Sequence, residues 1–296
     1  MTLKAHTAAP AAGAGQSSSR PGLLGYALFG VALFLLVLAF ALLPLPGGDD
    51  WETFYGAARR VLDGVPLYGT RITFSYFYNM PWLAVLFAPL ALLPFRWGWA
   101  FLSTASILIV FLLCKRWNLG AVKLVAILCS PPMLYTLLHG NIDALVLGAV
   151  LLPREFWLLA AMTKPQTAVA LALGVLRANW WKTGLLTAGV LLLSLAWFGN
   201  WLPAYLAQPV DLIDKGHNVF RYLFPYQVIP GLLLAWIGWK RQDEKFWIGA
   251  SPFFSPYAAT STLLGPLMLL LSQLKDWQAV AVVALYWVVS VVLSGG

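Results

Sequence analysis

Residues 23–64 read LLGYALFGVALFLLVLAFALLPLPGGDDWETFYGAARRVLDG, and the change of character at Asp49-Asp50 decides how the chain is laid out. From residue 23 to residue 45 the run is apolar and carries no charge. About 20 apolar residues cross the hydrocarbon of a bilayer as a helix, since a helix satisfies its own backbone hydrogen bonds there. The run is too long for a signal-peptide core and no small-x-small cleavage site follows it, so it is expected to stay as a first span. Two carboxylates then stand where this segment leaves the membrane, at the head of an aromatic-rich stretch.

The rest of the chain has the same bias. Of its 296 residues 60% are hydrophobic and only 10% are charged, with a mean hydropathy of +0.78. A water-soluble domain needs a polar exterior that this composition cannot supply. The fold class is therefore an all-α polytopic membrane protein. The net charge of +8 comes from scattered Lys and Arg, as in membrane proteins that hold basic residues in cytoplasmic loops, and points to no nucleic acid. Cys114 and Cys129 lie in apolar stretches without metal spacing and read as buried thiols.

Residues 1–22, rich in Ala, Ser, Gly and Pro, read as a flexible tail. Residues 23–296 then form one transmembrane domain. Its apolar segments fall near 23–45, 80–95, 97–114, 119–138, 141–153, 155–176, 183–203, 223–239, 246–272 and 277–294, giving about 9–11 transmembrane or re-entrant helices. Pro131-Pro132, Lys164-Pro165, Pro252, Pro256 and Gly265-Pro266 interrupt several of them, so broken helices and hairpins are expected. Lys4 and Arg20 place the tail in the cytoplasm by the positive-inside rule, which puts a first loop, 46–79, outside. If 155–176 and 246–272 are hairpins, Arg154, Arg177, Lys182, Lys240, Arg241, Lys245 and Lys275 also fall inside, and a second loop, 204–222, shares the outer face with the first. Lys115-Arg116 does not fit simple alternation.

Taken as a helix from Asp50, residues Trp51, Phe54, Tyr55, Ala58, Val61 and Leu62 recur at three- and four-residue steps, while Arg59, Arg60 and Asp63 fall opposite. This is the pattern of an amphipathic helix in the first external loop, able to float its apolar stripe in the interface. Asp50 itself reads either as the helix N-cap or as a reacting carboxylate, and the two roles are compatible.

From here on a series of motifs appears in order: Asp50-Trp51-Glu52-Thr53-Phe54-Tyr55-Gly56-Ala57-Ala58, then Leu62-Asp63-Gly64-Val65-Pro66-Leu67-Tyr68, then Leu86-Phe87-Ala88-Pro89-Leu90-Ala91-Leu92-Leu93-Pro94, and later Gly140-Asn141, Lys164-Pro165-Gln166 and Ser255-Pro256. The series resembles the polyprenol-phosphate-mannose-dependent glycosyltransferases of glycosyltransferase family 87, within the GT-C superfamily. Those read D-F-x-V-Y-Y-x-A-A, L-x-G-x-x-x-Y, L-F-A-P-L-A-L-L-P, G-Q/N-x-[ND], K-P-x-P and S-P. The chain departs from them at Tyr78-Asn79-Met80-Pro81 in place of Y-P-P, at Thr167 in place of Pro, and in having no His after Ser255-Pro256.

The resemblance implies a GT-C-like bundle in the cell membrane that moves a sugar, mannose, from a polyprenyl-phosphate carrier to a hydroxyl of a glycolipid or glycan acceptor. Transfer would invert the anomeric centre, on the extracytoplasmic side, with no cofactor. Asp50 maps to the general base, with Asp49 as the alternative; a positioned carboxylate can take the proton an attacking hydroxyl loses. The leaving lipid phosphate calls for cationic or hydrogen-bonding support. Lys164, Arg221, His217 and His139 are the residues able to give it, and Tyr55, Asn141, Asp143 and Gln166 those able to shape the sugar or acceptor site. Five of them have a plainer reading: Lys164 as a lysine snorkelling at a helix break, His139 and His217 as polar loop residues, Asn141 and Asp143 as caps of the next helix. No Cys/His cluster or Gly-rich phosphate loop occurs, and Asp211-x-x-Asp214 is too loose for a metal site. The rival classes are a lipid-linked-sugar transporter, for which broken helices and Lys164 would line a path near the midplane, and a catalytically silent relative.

Overall fold

The computed structural model describes residues 23–177, 180–209 and 218–294; the expected N-terminal tail and the loop residues Asp211, Asp214, Lys215 and His217 lie outside them. Sixteen α-helices and four 3-10 turns follow one another without a strand among the described residues. They are α1 (Leu23–Leu42), α2 (Asp49–Asp63), α3 (Pro81–Ala91), α4 (Phe95–Arg116), α5 (Ala121–Leu128), α6 (Pro131–His139), α7 (Asp143–Leu147) and α8 (Trp157–Thr163). The second half holds α9 (Pro165–Ala168), α10 (Leu171–Leu176), α11 (Trp180–Phe198), α12 (Leu202–Leu206), α13 (Val228–Arg241), α14 (Glu244–Ala250), α15 (Leu264–Gln273) and α16 (Asp276–Ser294). The protein is all-α and polytopic. Among the described residues α4 and α11 are long and apolar enough to cross a membrane, and α5 with α6, bent by 53°, makes a third such span if counted as one. The bend falls at Cys129-Ser130, where Pro131 and Pro132 open α6 and lack the N–H groups that would continue α5.

The 22 residues of α4 rise through about 33 Å and define the two ends of the molecule. At its start, Trp51 Nε1 donates to the Phe95 carbonyl at 3.0 Å and Arg96 donates to the Leu43 carbonyl at 3.1 Å, so α1, α2 and α4 meet at one end. At its finish, Arg116 Nε donates to Glu244 Oε1 at 2.8 Å, while Arg177 donates to the Trp239 carbonyl at 2.7 Å. Lys115, Arg116, Arg177, Lys240 and Arg241 thereby collect at the opposite end. The misfit of Lys115-Arg116 has a structural reason. Segment 80–95, taken as a membrane segment from its hydropathy, forms α3, which starts beside Thr163 through Asn79 and Trp82 and ends beside Tyr55 through Leu93. Both its ends stay at the carboxylate end, because α3 lies along α2 and buries Phe87 against Trp51 and Phe54.

That packing also corrects the reading of α2. The helix is amphipathic as expected, yet its stripe does not float: Trp51, Phe54, Ala57 and Ala58 are buried inside the protein, and only the distal Leu62 is largely exposed. Arg59 and Asp63 pair at 3.6 Å on the outer face.

The expected hairpins are present as broken helices. Lys164, turned out of the helical region at φ −145° and ψ 84° before Pro165, ends α8, and the chain returns through α9 and α10 until Gly174 lies against the rings of Trp157 and Trp247. α14 and α15 form the second pair, Gly265 lying against Ile248, with the 3-10 turns Ser251–Phe254 and Thr260–Leu263 between them. The Ala170 N–H donates to Ser251 Oγ at 3.1 Å and joins the two tips. The two loops expected to share a face do meet: Tyr78 donates to the Pro209 carbonyl at 2.9 Å and Gln208 Nε2 to that of Phe77 at 3.2 Å. Cys114 is buried as expected, whereas Cys129, at the α5–α6 bend, is exposed on the outer surface.

Candidate active site

The site begins with two glycines. Gly47 and Gly48 take φ of 107° and 85°, and a Cβ on Gly47 would strike the Leu138 carbonyl, so only glycine lets this turn press against the end of α6. The Gly48 N–H donates to Leu138 at 2.7 Å. Gly48 is the N-cap of α2, which makes Asp49 and Asp50 its first two residues and replaces the expectation of Asp50 as the cap. Freed from capping, both carboxylates face the α6–α7 turn. Gly140 ends α6 in the left-handed region at φ 67°, with the Trp51 side chain so close that a Cβ would stand 2.5 Å from it.

Across this contact the acidic pair separates into two environments. Asp49 Oδ1 lies 2.5 Å from His139 Nδ1, and His139 stacks on Tyr135 with ring centres 3.9 Å apart. A carboxylate accepts, so Nδ1 bears the proton and Nε2 is the nitrogen left for other work. Asp50 Oδ2 accepts from Asn141 Nδ2 at 2.6 Å. Asn141 Oδ1 accepts in turn from Lys164 Nζ at 2.6 Å and from the Asp143 N–H at 3.1 Å. Lys164 Nζ also donates to Asp143 Oδ2 at 2.8 Å, and Thr167 Oγ1 donates to Asp143 Oδ1. Asp143 and Lys164 are buried, at 0% and 7% exposure. This burial is tolerable because each charge has its opposite within hydrogen-bond reach.

Asp143 is balanced by Lys164 and Asp49 is bound to His139, while the side-chain hydrogen bond to Asp50 comes from a neutral amide. Burial pushes the Asp50 carboxyl above its ordinary value; the Lys164 charge and the Asn141 hydrogen bond oppose this, and Asp49 adds to it. A partly buried carboxylate held on one oxygen, with Oδ1 left over, is arranged to accept a proton.

The sequence-expected residues divide accordingly. Asp49, Asp50, His139, Asn141, Asp143 and Lys164 come together from α2, the α6–α7 turn and the α8–α9 break. Tyr55 turns away and donates to the Leu93 carbonyl at 3.0 Å, packed on Trp51 and Phe95. Gln166 is part-exposed on α9 and makes no hydrogen bond within the cluster. Arg221 is exposed, its guanidinium 5.5 Å from the Tyr222 ring centre. His217 lies outside the described residues.

Residues that the sequence reading passed over include Thr167, noted only as a departure from K-P-x-P, and Asn79, whose amide donates to the Thr163 carbonyl at 2.8 Å. Tyr135 and Tyr257 lie within electrostatic reach of Asp50 and Asp143. Tyr135 sits four residues before His139, one helical turn, which was a usable signal; Tyr257 follows Ser255-Pro256 directly. Asn218 fastens that loop, donating to the Pro256 carbonyl at 3.0 Å and accepting from the Ala258 N–H at 3.1 Å. Among the described residues no group of three or more His, Cys, Asp or Glu is placed to hold a metal ion.

Comparison with known proteins finds a similar protein. The chain is 27% identical over 198 residues to the α-(1→3)-arabinofuranosyltransferase of Corynebacterium glutamicum, a match covering 57% of this chain and 47% of that protein. The chain thus aligns with about half the length of this relative. No family model and no solved structure matches.

Proposed function

We propose that this protein is a membrane glycosyltransferase that moves a sugar from a polyprenyl-phosphate carrier to a hydroxyl of a glycolipid or glycan on the extracytoplasmic face. The observation that carries the reading is Asp50: a partly buried carboxylate at the membrane exit, fixed through Oδ2 by Asn141 and open at Oδ1. The acceptor oxygen attacks the anomeric carbon as its proton passes to Asp50, and the bond from that carbon to the phosphate oxygen breaks with inversion. The electron pair leaves on the lipid phosphate. His139 as the imidazolium, with Nδ1–H on Asp49 and Nε2–H donating, and Arg221 of the second loop are the groups assigned to that developing charge, and Gln166 to the sugar hydroxyls. The curated relative supports sugar transfer and adds arabinofuranose to mannose as a donor sugar to test. The carboxylates stand by the start of α4 and not halfway along it, which favours a one-sided transfer centre over a carrier with its charges at the midplane.

The test supplies labelled polyprenyl-phosphate-mannose and polyprenyl-phosphate-arabinofuranose, side by side, to the protein in nanodiscs with an extracted glycolipid pool. Transfer is expected from one donor, and Asp50→Asn is expected to lower it by roughly 10²- to 10⁴-fold with donor binding retained. Undiminished transfer by Asp50→Asn would remove this carboxylate as the base. Binding of neither donor would sink the lipid-linked sugar reading.

A further inference from the structure

We infer that Lys164 and Asn141 are positioning residues that hold Asp50 in place as a base, and that Lys164 is not a ligand of the donor phosphate. The inference rests on the reading of Asp50 as the base. Lys164 was the sharpest phosphate candidate in the sequence, being a lysine at membrane depth beside a proline. The structure gives its ammonium other partners. With 7% of the residue exposed, Nζ spends hydrogen bonds on Asn141 Oδ1 and Asp143 Oδ2 at 2.6 and 2.8 Å. Asp143 is held from its other side by Thr167 Oγ1, so a phosphate seeking Lys164 would meet a nearly buried ammonium whose charge is already paired with a fully buried carboxylate and which has one N–H left to give.

The same bonds fix which way the Asn141 amide points. Its oxygen accepts from two donors, Lys164 Nζ and the Asp143 N–H, neither of which can bond an NH₂ group. The NH₂ must therefore face Asp50, where it lies 2.6 Å from Oδ2. Thr167, Asp143, Lys164, Asn141 and Asp50 are joined in one chain of hydrogen bonds: Thr167 and Lys164 both donate to Asp143, and from Lys164 the donation runs through Asn141 to Asp50. Its effect is to orient one oxygen of Asp50 and to place a cation one amide away, which favours the charged, proton-accepting form. The other charged or titratable groups around Asp50 are Asp49 on α2, His139 and Tyr135 on α6, Asp143 at the start of α7, and Tyr257 before the Thr260–Leu263 turn. Of these, Asp49 opposes the charged form of Asp50 and His139 supports it.

The deciding variants are Lys164→Met and Asn141→Leu. In the transfer assay each is expected to lower kcat by about 10- to 100-fold while donor KM stays within about two-fold, and to move the acidic limb of the pH profile upward. A roughly tenfold rise in donor KM in Lys164→Met, with the limb unmoved, would overturn the inference and return Lys164 to the phosphate. A second measurement does not need turnover. Infrared titration of the carboxyl band, with Asp50→Asn as the subtraction in each background, reads the Asp50 midpoint directly. It is expected at higher pH in Lys164→Met than in wild type, and an unchanged midpoint would refute the coupling. If wild type transferred neither sugar, the proposed function would fail while this titration still decided whether Lys164 acts on Asp50. Asn141→Leu keeps the ion pair of Lys164 and Asp143, so it reads the chain even if Lys164→Met does not fold.

Discussion

Asp50 and Asp49 are adjacent in sequence and differ in almost everything else, because the first two residues of a helix point a hundred degrees apart. Asp49 is half exposed and meets an imidazole, whereas Asp50 is turned inward onto an amide backed by a buried lysine. The raised Asp50 carboxyl has a consequence for stability. When a carboxyl holds its proton more tightly folded than unfolded, the unfolded chain releases that proton first as pH rises. Stability therefore falls between the ordinary carboxylate value and the raised folded one, and is level below and above that window. Asp50→Asn cannot titrate. Its thermal midpoint in detergent is expected to gain on that of wild type as pH rises through the window, and a constant difference would contradict the buried setting. At this scale the sequence exposed the acidic pair, and the family resemblance set Asp50 before Asp49 as the base, but the different surroundings of the two carboxylates were not legible. Those surroundings depend on Gly48 taking the cap and on the α6–α7 turn that it closes onto, a contact between distant segments.

Among the elements, breaks were easier to read than burial. Pro131-Pro132 and Lys164-Pro165 announced the α5–α6 bend and the first hairpin tip because proline forbids the helix to continue there, whatever surrounds it. The apolar stripe of α2 was equally visible, but its partner was not: the same stripe suits lipid or α3, and the Phe87–Trp51 contact settles it. Hydropathy alone left open what α3 lies against for the matching reason, since a helix face packed on protein is as apolar as one facing lipid: Phe87 is buried against Trp51 while Leu86 on the same helix is exposed. Asn218, in the second loop, tests how the Ser255-Pro256 tip is held. Asn218 bonds the Pro256 carbonyl and accepts from the Ala258 and Phe220 amides, so Asn218→Ala leaves three backbone groups unpaired. The Ala258 amide is expected to exchange its hydrogen at least ~10-fold faster, with amides of α4 unchanged. An unaltered rate at Ala258 would mean that the tip is held by other contacts.

Across the whole molecule, five basic residues gather at one end of α4, beside Glu244, while Arg59 and Arg96 lie at the other end with α2. Carboxylates of α2 stand where α4 begins, and the basic residues Lys115, Arg116, Arg177, Lys240 and Arg241 stand where it finishes. The positive-inside rule then predicts the orientation. With Cys114 and Cys129 replaced by Ser, Glu52→Cys is expected to react with a membrane-impermeant maleimide added outside intact cells, and Lys115→Cys only after the membrane is opened. Labelling of both from outside would overturn the extracytoplasmic placement of the site. The sequence by itself determined that the chain is helical and lies in a membrane, and where its helices break, because length, hydropathy and proline act through local physics. Only the tertiary structure decided which breaks meet. Asp50, Asn141 and Lys164 are far apart along the chain, and their pairing follows from α2 resting on α3 and two glycine turns closing onto α6, contacts whose energy comes from packing between distant segments.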